Sequence, residues 1–204
     1  MHSRGVSGRN RGRDFDPRKV GARECRAWVT YYRRLWGSFL IASVGMVHAG
    51  FRMSWWRTLW GAWLVLRANQ HWAPFPDNDP DRARRCMARF YRAVAASAGE
   101  ELDHWEAARL EVDWWRAHRA VQHDDATTHD DAKAELVDAL VRLYAFVYRT
   151  DPADVRLAAQ LRADAMDVSD RWVAEGCHEP SPLIAQERSL LVRSYAALLA
   201  AVHR

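Results

Sequence analysis

Residues 102–122 read LDHWEAARLEVDWWRAHRAVQ, and their periodicity decides the fold class. Leu110, Trp114, Ala117 and Val121 recur every three or four positions, the spacing that gathers side chains on one face of an α-helix. Trp105, Ala108, Val112 and Trp115 make a second stripe. A helix with two apolar stripes is covered from two sides, which places it within a packing of several helices.

The flanking chain repeats the signal. Leu136/Val137, Leu140, Leu143/Tyr144 and Val147/Tyr148 form the inward stripe of a helix that follows a polar stretch at 123–131. Asp151-Pro152 and Ser181-Pro182 each join a capping side chain to a proline at the first helical position, and Gly176 ends the helix between them. On the N-terminal side Asp79-Pro80-Asp81 is a third such start, with Gly99 as its stop. A helix over 54–70 precedes it. Apolar spacing from Cys25 through Trp28/Val29, Leu35/Trp36 and Val44/Val47 predicts one long helix before that. No segment alternates like a strand. The expectation is an all-α protein of about seven helices, in one bundle or two packed helical sub-bundles, spanning 17–204 with a seam at 123–131.

Charge is unevenly placed. The first 34 residues hold ten Lys and Arg against three acids, which leaves 20 basic and 23 acidic residues of the totals of 30 and 26 for the rest. The body is therefore mildly acidic, and the Arg/Gly/Ser-rich segment 1–16, with no apolar stretch, reads as a disordered tail. Nucleic acid is disfavoured as a partner on the same ground. Cys25, Cys86 and Cys177 are odd in number and widely spaced, which argues against a disulfide framework and for a reducing, cytoplasmic setting. The uncharged run 35–51 is short for a membrane span and contains Gly37, Ser38, Gly45 and His48, so it reads as a core helix. A membrane-surface role, with Trp and Arg at the headgroups, is the minority reading.

Two constellations carry candidate chemistry. Seven of the 11 tryptophans lie between Trp28 and Trp72. Trp28, Trp36, Trp56, Trp60 and Trp63 stand at core spacing, with His48 and Asn69 close in sequence, as expected of a small-ligand site: large apolar faces and a few polar groups. The second is Glu111 and His118, two turns apart on one helix, where a carboxylate and an imidazole can share a divalent metal or act as base and acid; Glu24, Asp167 and Asp170 are further carboxylates for such a site. Their Glu-x6-His spacing is similar to part of the pattern of haem-oxygenase-like di-iron oxidases; the His-x3-Asp-x2-His of that pattern is lacking here. Glu101-Leu102-Asp103-His104 and Glu175-Gly176-Cys177-His178 have the letters of ferritin-like Glu-x-x-His ligands but fall at helix ends. Asp77-Asn78-Asp79-Pro80-Asp81 opens like a calcium loop, then offers Arg82 and Ala88 where glycine and glutamate are required. The function these residues support is binding of a protein partner or a small apolar ligand through the Trp-rich N-terminal helices, with a metal-dependent enzyme using Glu111 and His118 as the alternative.

Overall fold

The computed structural model describes residues 14–123 and 129–204. Among these are eight helices and no strand: α1 (Pro17–Tyr32), α2 (Trp36–Phe51), α3 (Trp55–Trp72), α4 (Pro80–Ala98), α5 (His104–His123), α6 (His129–Tyr148), α7 (Pro152–Ala174) and α8 (Pro182–Val202). The starts follow from local chemistry. Asp79, Asp151 and Ser181 accept hydrogen bonds from the backbone N–H of Arg82 (2.8 Å), Ala153 (2.8 Å) and Leu183 (3.2 Å), each ahead of a proline. Asp16 does the same for α1, two residues before Arg18.

The count is eight because the single helix expected from Cys25 to Val47 is two. Arg34 takes a left-handed conformation (φ 57°), and the N–H groups of Arg34 and Leu35 return to the carbonyls of Tyr31 and Thr30. That is the Schellman pattern, which ends a helix without glycine or proline. The apolar periodicity runs on across the break because both helices face the same interior.

Connections as short as three residues make successive helices antiparallel, and each packs on its neighbours in sequence. The order then closes, because α8 packs against α1, so the eight helices form a ring. The closure is tight: a Cβ on Gly21 would sit 2.7 Å from the backbone nitrogen of Val192. Alanines at 158, 159, 163 and 165, all without exposed surface, let α7 lie close between α6 and α8.

Two further expectations need correction. Phe15, assigned to a disordered tail, is buried, with its ring 5.8 Å edge-on from Tyr195 and 6.5 Å from Tyr148. Together with the cap at Asp16, this puts the start of ordered packing before Pro17; residues 1–13 lie outside the described residues. The core positions assigned to Trp56, Trp60 and Trp63 are also wrong, since these rings are 83%, 51% and 46% exposed. The side of α3 that faces the ring is instead made of Thr58, Ala62, Val65 and Ala68. Residues 124–128 of the expected seam lie outside the described residues. No described helix is long and apolar enough to cross a membrane.

Candidate functional site

All eight helices contribute to one cavity of about 380 Å³ at the centre of the ring. Its wall is aromatic. Trp28 and Tyr31 come from α1, Phe90 and Tyr91 from α4, Trp114 and Trp115 from α5, while α6 and α8 add Tyr144, Tyr148 and Tyr195.

Within this wall lies a polar cluster. Arg162 of α7 donates to the Glu24 carboxylate of α1 and to the hydroxyl of Tyr144 at 3.1 Å, and its guanidinium lies 5.0 Å from the Trp114 ring centre and 5.8 Å from that of Trp28. Stacking a weakly hydrated guanidinium between indoles and pairing it with a carboxylate makes a charge tolerable at this depth. Burial opposes the charge, but Glu24 and the surrounding phenols hold the Arg162 pKa well above its usual value. Glu111 accepts a hydrogen bond from the Tyr91 hydroxyl at 2.7 Å. Burial pushes the Glu111 carboxyl above its usual value, against the lowering effect of that bond and of Arg162. Among the described residues the Glu24 Oε2, Arg162 Nε and Trp114 Nε1 atoms have no hydrogen-bond partner, so the cluster is not saturated internally.

One end of the cavity is edged by the C-terminal turns of α1, α3 and α5. Arg34 and Arg119 donate to the last carbonyls of α3, Ala73 (3.1 Å) and Trp72 (3.2 Å), where the helix dipole favours cations. Arg119 also lies over the rings of Trp72 (4.7 Å) and Phe75 (5.1 Å). Phe75 in turn stacks on His123 at 4.3 Å. His118 is 3.0 Å from Asp170, whose other oxygen accepts from Gln122 at 2.6 Å.

The expected residues divide accordingly. Trp28 and Asn69 line the cavity. Trp36 packs beside Tyr31 and Phe39, with its ring centre 6.1 Å from each. His48 is exposed and stacked on Trp55 at 5.1 Å, and Trp56, Trp60 and Trp63 are on the outside of the ring. Glu111 and His118 both reach the cavity wall but have separate partners, and Asp167 is taken by Lys133. Among the described residues no three His, Cys, Asp or Glu side chains meet as a metal-holding group.

Sequence reading missed Arg162 and the inward tyrosines as a set. The signal was there. Tyr144 and Tyr148 fall on a stripe already assigned inward, and phenols in an interior need polar company. Arg162 sits one turn from both Ala158 and Met166 on the packed face of α7.

No protein-family model matches the chain, and neither curated proteins nor solved structures provide a match.

Proposed function

We propose that the protein binds a small, largely apolar, ring-bearing ligand inside the helical ring, with the ligand's polar or anionic end toward Arg119 and Arg34. The observation that carries this reading is the cavity to which every helix contributes, aromatic along much of its wall, with polar groups at Arg162, Glu24, Glu111 and the tyrosines and, beyond these, at Arg34, Asn69, His118, Arg119 and Gln122. Apolar enclosures with a few convergent polar groups are the usual form of small-molecule sites, and about 380 Å³ lies within their range. The site is the interior of the ring; the outer tryptophans of α3 have no part in it.

Gly50 supplies the test. It lines the cavity, and a Cβ there would meet no atom within 4 Å, so a larger side chain at this position enters free space. The probe is 1-anilinonaphthalene-8-sulfonate, an aromatic system with one anionic group. Saturable one-site binding is expected, with a rise in the thermal midpoint; at a hundred times Kd the stabilisation is about 2.7 kcal/mol. Gly50→Phe should abolish the binding and leave the far-ultraviolet circular dichroism unchanged. Undiminished binding by Gly50→Phe, or no saturable binding of the probe or of a panel of aromatic carboxylates, overturns the reading. Stoichiometric iron, manganese or zinc in the purified protein also overturns it, in favour of metal chemistry at Glu111 and His118.

A further inference from the structure

The outer face of α3 holds five of the exposed large hydrophobic residues among those described: Trp55, Trp56, Leu59, Trp60 and Trp63. At 100° per residue, Trp56, Leu59, Trp60, Trp63 and Arg67 fall within an arc of about 100°. Neighbouring contacts fix where that arc points. On one side Trp55 stacks on His48 of α2; on the other Arg57 donates to the Ala96 carbonyl (3.2 Å) and Ser97 hydroxyl (3.3 Å) of α4. The arc between them faces straight out of the ring, with Trp56 at its summit. On α2, Ile41 is 76% exposed as well.

Charge around this face is mainly positive, and the acids at the start of α4, Asp79 and Asp81, pair with Arg82 and Arg84. No Asp or Glu occurs between Glu24 and Asp77, or between Asp81 and Glu100. On α4, next to α3, Arg85, Arg89 and Arg92 form an exposed ladder at i, i+4 and i+7, with no ion pair among the described residues. Across the ring, α6 and α7 together carry eight acids against five Lys and Arg. The molecule is thus polarised, with its Trp-bearing side positive and the opposite side negative.

We propose that the α2–α3–α4 face docks on an anionic lipid bilayer surface. Tryptophan prefers the headgroup boundary, where its ring is apolar and its N–H stays wet, and exposed Trp on a convex helix is the form that boundary takes up. The arginines, unopposed by acids, complement lipid phosphates and add attraction that decays within a Debye length. Since no described helix is long and apolar enough to cross, the contact is one of lying on the surface.

The test is co-sedimentation of the full chain with large unilamellar vesicles of phosphatidylcholine alone or mixed equally with phosphatidylglycerol, alongside tryptophan emission. Binding to the mixed vesicles alone is expected, with a blue shift in emission and loss at high salt. The double variant Trp56→Ala with Trp60→Ala should lose the blue shift and most of the binding. The triple variant Arg85→Gln, Arg89→Gln and Arg92→Gln should bind about a hundredfold more weakly, about fivefold per arginine. All five side chains are exposed, so circular dichroism should not change in either variant. The Arg-rich residues before Asp14 are present in every sample, so any difference between variants reports on this face. Equal binding by wild type and variants overturns the proposal, as does no preference for phosphatidylglycerol. A lipid-free dimer that the Trp56→Ala, Trp60→Ala variant disperses overturns it too, because a second copy would then be what covers the face.

Discussion

Glu187 is a carboxyl with no exposed surface, and among the described residues neither of its oxygens has a hydrogen-bond partner. Cys25 and Ser169 are its polar neighbours, and burial pushes its pKa up to about 8. The sign of the consequence follows from linkage. In the unfolded chain the group ionises near its ordinary value of 4.5, whereas in the fold it keeps its proton until about 8. Between those values the folded state holds one more proton, so stability falls as pH rises, by up to about 1.4 kcal/mol per pH unit. Glu187→Gln should flatten the decline. Urea denaturation between pH 5 and 8 checks it, and an unchanged slope in the variant would assign the pH dependence to other groups. The buried pair Arg162–Glu24 is at the same scale and has the opposite character, since each charge there has its partner. Glu24 was visible in the sequence as one carboxylate among several. What gave it a role was Arg162, 138 positions away and brought against it only by folding.

At the scale of the element, caps were the legible feature and breaks without glycine were not. Asp79, Asp151 and Ser181 announce their helices because each precedes a proline that can only begin one. The break between α1 and α2 rests on Arg34 in a left-handed conformation, which arginine tolerates only at a cost, so nothing local in 25–47 marks it. Arg52 and Arg149 close α2 and α6 in the same conformation. Arg149 is exposed and shows no side-chain hydrogen bond or ion pair among the described residues. Arg149→Gly should therefore stabilise the protein by about 1 kcal/mol, glycine being the natural residue for the position. A thermal midpoint that falls would mean that the Arg149 side chain has a favourable contact. α3 teaches the converse. Its tryptophans sit at helical spacing on the face turned to solvent, and spacing alone reports that a face exists, not which way it turns.

For the whole molecule, the decisive contact is the one between the first helix and the last. Gly21 permits it, since a methyl group there would meet the backbone nitrogen and Cα of Val192 at 2.7 and 2.8 Å. Backbone cannot swing aside as a flexible side chain can. Gly21→Ala should destabilise by roughly 1–3 kcal/mol, the range for overpacking a tight interior, although alanine is the better helix former. The same variant should weaken probe binding in the cavity, because α1 and α8 supply Glu24, Trp28 and Tyr195 to its wall. Calorimetry and probe titration together check this, and a variant at least as stable as wild type would show that the seam gives way easily.

The amino-acid sequence by itself determined that the chain is helical, where most helices start, and that each helix carries an apolar stripe, because capping and 3.6-residue periodicity act within a few positions along the chain. Tertiary structure alone decided that α8 meets α1, that eight inward stripes leave a common space rather than filling it, and that the tryptophans of α3 face out. Those outcomes depend on contacts between segments as distant as Gly21 and Val192. A one-dimensional pattern records that a side chain prefers to be covered, and only the closed ring settles what covers it.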